Sequence, residues 1–375
     1  MTDFLHDPIA LTQALVRQPT VNPCHDGAQD VLADALESIG FRTKRYHFEG
    51  VDNFYARLGG AAPNLCFAGH TDVVPVGDTA GWTVDPFGAE IRNGMLYGRG
   101  ACDMKGFIAS VLAQAPLMAA ASLKTPIHIA LTYDEEVGCL GVPGLLDDLR
   151  VAGILPTGCI VGEPTSMRMV TAHKGARMYR CNVHGKAAHS SLTPQGVNAI
   201  EYAARIITFI QDMARYEEEH GLKVDGFDVP FTSISTNMIS GGRGTNIIPS
   251  QCEFFFDYRY VPGMPPGQFY DNIRSFIDRE IEPRMKARDA HTGVDLECLG
   301  NVPALDAKEH DEIVQLVKSL LRPHQSAKVS YGTEASFFQN IGTPSIVCGP
   351  GSIDNAHKPD EFVPLEQLDA CDRMV

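Results

Sequence analysis

The chain has 375 residues, more than a single typical core accommodates, so two domains with one inserted in the other are expected. A formal net charge of -15, with a pI of about 5.3, argues against a nucleic-acid or anionic-membrane partner, and the 44% apolar and 21% charged contents are those of an ordinary globular protein. The 10 cysteines form no C-x-x-C pair, which excludes a zinc ribbon or dithiol motif; Cys66, Cys159 and Cys348 read as small buried hydrophobes in a reducing, cytoplasmic setting.

The N-terminus, Met1-Thr2-Asp3-Phe4, lacks the basic-then-apolar pattern of a signal peptide. Helical spacing marks 8–17 (Ile9, Leu11, Leu15, Val16) and 27–39 (Val31, Leu32, Leu36, Ile39). Strands are predicted at 41–48, 53–58 and 64–69. A helix is expected from Asp103 to about 120. Its apolar run, Phe107 to Ala120, is too short for a membrane span and is broken by Gln114 and Pro116. A strand at 126–133, a short helix near 143–150 and a strand at 158–162 follow. Strands alternating with helices, several continuously apolar, predict a mostly parallel sheet covered on both faces.

The character changes near 178. Residues 177–184 alternate, a helix runs from about 195 to 219, and a strand at 231–239 leads to the turn Gly241-Gly242-Arg243-Gly244. In 251–260, Phe254, Phe256, Tyr258 and Tyr260 share one face while Glu253, Asp257 and Arg259 share the other, the period-2 signature of an antiparallel sheet with one buried face. A long helix is expected over 266–287. From about 292 the α/β pattern returns, with a helix at 310–322 and a strand at 344–348. The predicted fold class is therefore α/β: a larger domain at 1–177 and 291–375, interrupted by a smaller α+β domain at 178–290. The closing stripe Leu365, Leu368, Cys371, Met374, Val375 has no helix stop signal, so a longer native tail is expected.

Chemistry concentrates where strands end. His70 and Asp72 lie in Gly69-His70-Thr71-Asp72, Glu135 and Glu136 close the run from Ile127, and Glu163 follows Ile160-Val161-Gly162. In open α/β sheets, sites form outside the carboxyl ends of strands. Asp103 follows a Gly-rich turn, and His357 lies in Asn355-Ala356-His357-Lys358. Together they supply imidazoles and carboxylates enough for two divalent metals, which when paired about 3.5–4 Å apart hydrolyse stable bonds. Adjacent Glu135 and Glu136 point in different directions, so one can ligate while the other serves as base. Each residue has an ordinary reading too. Asp103 alone fits an N-cap, Asp134-Glu135-Glu136 a solvated acidic loop, Glu163 a surface carboxylate, and His70 or His357 a structural or loop histidine. G-x-x-x-x-G-K-[ST], G-x-S-x-G and H-E-x-x-H are all absent, which argues against a P-loop, a serine hydrolase and a single-zinc helix site.

The ordered motifs Gly69-His70-Thr71-Asp72-Val73-Val74-Pro75, Tyr97-Gly98-Arg99-Gly100-Ala101-Cys102-Asp103-Met104-Lys105-Gly106, Asp134-Glu135-Glu136-Val137-Gly138, Gly162-Glu163-Pro164-Thr165 and His184-Gly185-Lys186-Ala187-Ala188-His189-Ser190-Ser191 span nearly the whole chain. In them the sequence resembles the dinuclear-metal amidohydrolase and peptidase family of acetylornithine deacetylases, succinyl-diaminopimelate desuccinylases and glutamate-releasing carboxypeptidases. Pro194 to Glu201, Gly332-Thr333-Glu334-Ala335 and Gly349 to Glu361 are similar to its acetylornithine deacetylase branch. Ala101 stands where the pattern suggests a hydroxyl residue.

The resemblance implies that Asp103 bridges two metals, zinc with cobalt or manganese as alternatives. It places His70 and Glu163 on one metal and Glu136 and His357 on the other. Glu135 is implied as general base and Asp72 as support for His70. His189 is implied to stabilise the oxyanion in a partner subunit's site. Asn246 and Arg259 are implied as contacts to a substrate carboxylate, and Glu334 as a further substrate contact. The Asp103–Met104 peptide is implied to be cis, and the inserted domain to be a lid that forms a homodimer. The implied reaction is removal of acetyl from N2-acetyl-L-ornithine in arginine biosynthesis. Another N-acyl amino acid hydrolase, such as a desuccinylase or dipeptidase, is the enzymatic alternative, and a catalytically silent metal-binding scaffold the non-enzymatic one. Neither the base nor a ligand is missing, which argues against the scaffold.

Overall fold

Three apolar runs become neighbouring parallel strands at the centre of a nine-stranded sheet. Leu65–His70 pairs with Ile127–Thr132 on one side and with Gly158–Val161 on the other. Gly158–Val161 in turn pairs in parallel with Ser345–Val347. Ile127–Thr132, Gly158–Val161 and Ser345–Val347 are buried throughout, as continuous apolarity demands of strands covered on both faces. Towards the edges the pairing turns antiparallel, through Val51–Leu58 and Arg42–Phe48 on one flank and Met169–His173 on the other. This computed structural model describes residues 6–22, 28–48, 51–60, 64–321 and 326–375. Met1 to Phe4 and Cys24 lie outside the described residues.

The chain divides into two compact units. The first comprises Met1–Ala172, Leu305–Lys328 and Thr333–Val375. Its core joins strand residues Phe67, Ile129, Ile160 and Ile346 to Phe107, Ile108, Val111 and Leu112 of the helix Gly106–Ala120. Pro8–Val16 starts as its sequence dictates, with Asp7 accepting from the Ile9 and Ala10 amides and Pro8 in the first turn. Cys66, Cys159 and Cys348 are fully buried. Among the described residues no helix is long and apolar enough to cross a membrane.

The second unit comprises His173–Ala304 and Val329–Gly332. Its four-stranded sheet runs Ser233–Gly241, Gln251–Tyr260, Gly175–His184, Gly293–Val302, all antiparallel. Phe254, Phe256, Tyr258 and Tyr260 are buried against Ile206 and Ile210 of the helix Ala199–His220 and against Phe269 and Ile273. The α/β return expected at 292 begins instead at Leu305. Gly293–Val302 pairs along the whole of Gly175–His184 and so belongs to this sheet.

Two helix expectations also change. Asp103 does not cap the third helix. It precedes Gly106–Ala120 with φ -124° and ψ 89°, and its amide and that of Cys102 are bonded to the Glu361 carboxylate instead. The Asp103–Met104 peptide is cis. The helix expected over 266–287 is split into Gln268–Phe276, a wider turn Ile277–Ile281 and Glu282–Lys286, where Pro283 has no N–H to continue the ladder.

Gly162, immediately before Glu163, is a close-approach glycine. A Cβ there would lie 1.9 Å from the Phe107 ring. Gly162→Ala must displace Phe107 from the main core and is expected to lose about 1–3 kcal/mol by overpacking. Urea denaturation at a pH where the wild type is two-state checks this; an unchanged midpoint would refute it.

Candidate active site and metal centre

His70 ends its strand, Glu135 and Glu136 follow Ile127–Thr132, and Glu163 follows Gly158–Val161. Because these three strands are adjacent and parallel, one rim receives all four side chains. The next strand, Ser345–Val347, leads into the loop that carries His357.

Asp103 occupies the middle. Its Oδ1 lies 3.1 Å from His70 Nε2 and its Oδ2 3.2 Å from His357 Nε2. Glu163 Oε1 is 3.7 Å from His70 Nε2, and Glu136 Oε2 is 3.0 Å from His357 Nε2. The nearest donor atoms of His70, Glu135 and Glu163 lie within 4.8 Å of one another, as do those of His70, Asp103 and Glu136. Asp72 stands behind the cluster. Its backbone carbonyl accepts from His70 Nδ1 at 3.0 Å, which directs Nε2 at Asp103. Its carboxylate accepts from the amides of Glu135 (3.3 Å) and Glu136 (3.2 Å), fixing the turn that bears both acids.

Burial sets the electrostatics. It pushes Glu135 up to about 8, helped by the charges of Glu136, Glu334 and Asp72 and opposed by His70. Burial, then the Asp103 charge, raises Glu136, and the same pair of causes holds Glu163 well above the carboxylate range. Burial opposes the charged forms of Asp103 and Asp72, but bonds to the imidazoles overcome it and keep both low. Hydrogen bonds to Asp103 and then Glu136 lift His357 to about 10. His70 is raised as well, its bonds to Asp103 and Asp72 outweighing burial. Carboxylates thus crowd two imidazoles at a site whose inner members, His70, Asp103 and Glu163, are buried while His357 is exposed, an excess of largely buried negative charge that divalent cations neutralise. The all-O,N donor set suits such ions.

The remaining expected residues are placed differently. His189, Asn246 and Arg259 all belong to the second unit. His189 lies in the short strand Ala188–His189, paired with Ile247–Ile248, and Asn246 O accepts from the Ser190 amide at 2.9 Å. Arg259 sits near the far end of Gln251–Tyr260, bonded to Asp257 at 2.8 Å. Glu334 is fully buried in the first unit, and a hydrogen bond from Thr132 partly offsets the burial of its carboxylate. It heads the helix Ala335–Asn340, and burial raises it to about 7.

Sequence reasoning assigned no part to Asn22, Cys139 or the pair Arg99–Glu361. Asn22 donates to Asp72 at 2.6 Å, and the Cys139 thiol donates to Glu135 at 3.2 Å. Arg99 and Glu361 form a buried ion pair at 2.6 Å. Arg99, Cys139 and Glu361 lie within or beside the quoted motifs; Asn22 carried no signal.

A family description, peptidase family M20/M25/M40, matches residues 66–375. The chain belongs to this family. It is 33% identical over 375 residues to an acetylornithine deacetylase of Pasteurella multocida (strain Pm70), covering 96% of this chain and 94% of that one. It is 35% identical over 358 residues to an acetylornithine deacetylase of Myxococcus xanthus, covering 92% and 89%. Among solved structures, an M20 family metallo-carboxypeptidase from Sulfolobus solfataricus superposes with a TM-score of 0.78 at 17% identity over 98% of this chain and 97% of that one. The M20 fold agrees with the α/β class and the separate antiparallel sheet described above.

A pH dependence follows for the metal-free protein. Glu135 keeps its proton in the fold up to about 8, whereas an unfolded Glu loses it near 4.5, so the folded state binds more protons between those values. His357, raised from 6.5 to about 10, acts in the same sense. Through these two groups stability is expected to fall as pH rises through the shared window, roughly 6.5 to 8, partly offset above about 7 by Lys105, which burial lowers from 10.5 to about 7. Calorimetric Tm of chelator-treated protein is expected to decline across that window. A Tm that rises there would contradict it.

Proposed function

We propose that this M20 family member is a metal-dependent acetylornithine deacetylase. Water adds to the acetyl carbonyl of N2-acetyl-L-ornithine, the amide C–N bond breaks, and acetate and L-ornithine leave. The observation that carries this reading is the placement of Asp103, one oxygen on each of two imidazoles, beside a half-buried Glu135. Both curated relatives named above are acetylornithine deacetylases aligned over nearly their whole length.

In this reading His70 and Glu163 would hold one divalent ion, Glu136 and His357 the other, and Asp103 would bridge them. Zinc is the proposed ion, with cobalt and manganese accepting the same donors. Bound ions supply Lewis acidity to the carbonyl and acidify water. Glu135 takes the proton from the attacking water and delivers it to the departing nitrogen. Asp72 holds His70 and the Glu135–Glu136 turn in place.

His189 is the proposed oxyanion donor. Its Nδ1 accepts from the Ser191 amide at 3.2 Å, which leaves the neutral ring's proton on Nε2, free to donate. Asn246 and Arg259 are the proposed contacts to the α-carboxylate. Within one chain they lie at opposite ends of the second unit's sheet. Gln251 pairs with His184 beside the Ala188–His189 ribbon, whereas Arg259 pairs with Ala176. Eight residues of strand at about 3.3 Å each separate Gln251 from Arg259 by roughly 26 Å. A single small substrate cannot span that. We therefore infer a homodimer, with the second unit as lid and dimerisation domain and His189 and Asn246 serving the partner's site. The nine described cysteines are all free thiols, which supports a cytoplasmic setting.

The deciding experiment is a substrate panel on metal-reconstituted protein. Turnover of acetylornithine is expected to exceed that of succinyl-diaminopimelate and of dipeptides; the reverse order would replace this reading with a desuccinylase or dipeptidase.

Glu135→Gln is expected to lose at least about 100-fold in kcat, the lower range for a general base, while still binding two metals by elemental analysis. A near wild-type rate would remove Glu135 as base. The exchange between subunits has its own test. His189→Ala and Glu135→Gln chains, each inactive alone, are mixed and allowed to exchange. A mixed dimer then has one site with both defects and one with neither, so activity should return. Silence from demonstrated mixed dimers would confine His189 to its own chain.

A further inference from the structure

The loop bearing Asp103 and the loop bearing His357 come from opposite ends of the first unit's sequence, yet their carboxylate and imidazole meet at 3.2 Å. One buried ion pair joins them. Glu361 is 1% exposed and Arg99 2%. Glu361 Oε1 accepts from the Cys102 amide at 3.1 Å and the Asp103 amide at 3.3 Å, while Oε2 takes Arg99 Nη1 at 2.6 Å. The same Arg99 nitrogen reaches the Lys358 carbonyl, next to His357, at 3.4 Å. The Gly98 amide donates to the Glu361 carbonyl at 2.8 Å, and Phe362 pairs with Tyr97, so the two segments are tied by backbone as well.

The division of contacts is unequal. Glu361 grips the backbone of Asp103 itself. Arg99 grips the carbonyl of Lys358, the residue after His357, and His357 itself is held at a left-handed φ of 62°. Neither side chain touches the rim where substrate would lie. Their burial as an ion pair is not in itself a source of stability, because desolvation offsets much of the attraction. What the pair provides is a fixed spacing between two loops.

We propose that Arg99 and Glu361 are positioning residues that set the distance between Asp103 and His357 and thereby tune metal affinity unequally at the two positions. This rests on the reading that Asp103 and His357 hold metal. Arg99 should act on the position that uses His357 and Glu136. Glu361, through Asp103, should act on both.

The test is calorimetric titration of metal-free protein with Co2+, with His357→Ala as the control that identifies one of two binding steps. Arg99→Lys keeps the charge but replaces the planar guanidinium, whose Nη1 serves Glu361 and the Lys358 carbonyl while Nη2 reaches the Pro75 carbonyl at 3.5 Å, with a shorter single-nitrogen head that cannot reproduce all three contacts. It is expected to weaken the His357-dependent step about tenfold, the lower range for groups behind a ligand, and to leave the other step unchanged. Glu361→Gln is expected to weaken both steps. A lowered Tm with both affinities intact, in variants of a wild type that binds two ions, would reduce the pair to a structural role and overturn the proposal. If Glu361→Gln does not fold, the step-selective loss in Arg99→Lys still decides it. A wild type that takes up fewer than two ions would remove the metal centre, and this inference with it.

Discussion

Everything at the rim depends on how negative charge is held where water is scarce. Three neighbouring parallel strands must be covered on both faces, and their ends inherit that dryness. Carboxylates delivered to such ends repel one another with little screening. The response differs residue by residue. Asp72 and Asp103 stay ionised because imidazoles and hydrogen-bond donors face them, whereas Glu135, Glu136 and Glu163 are driven toward the neutral form. A cluster of this kind is complete only with cations, and this makes a metal centre the natural reading of an otherwise unfavourable arrangement.

Strand-end acids were legible in the sequence because long apolar runs announce buried strands and fix where they stop. Period-2 alternation over 251–260 was equally plain, and Phe254 to Tyr260 are buried as it predicts. The strand Gly293–Val302 gave a weaker signal. Its register slips between Cys298 and Gly300, so its inward face changes phase midway. The small sheet of Glu90–Arg92, Met95–Tyr97 and Phe362–Pro364 escaped notice because three-residue strands carry no measurable period.

Asp103 marks where local pattern fails in kind. A Gly-rich turn, an aspartate and an apolar helix are the same letters whether the aspartate caps the helix or stands before it. What decides is Glu361, some 258 positions away, which takes the amides that would otherwise begin the helix. No window of sequence contains that competition. Asn22 behind Asp72 is hidden for the same reason, since only the fold brings it within 2.6 Å.

Glu135 and Glu136 make the converse point, that adjacency in sequence can separate roles. Both amides are anchored on Asp72, so the turn is fixed and the side chains must diverge. Glu136 meets His357 at 3.0 Å, a charged partner that commits it to the cluster. Among the described residues, the Glu135 carboxylate takes its side-chain hydrogen bond from the Cys139 thiol, a weak donor. A carboxylate tied to imidazole resists changing its protonation, whereas one held by a thiol in a buried site can gain and lose a proton near neutrality. The proposed assignment of one as ligand and the other as proton carrier therefore rests on their partners, and not on either residue's chemistry alone.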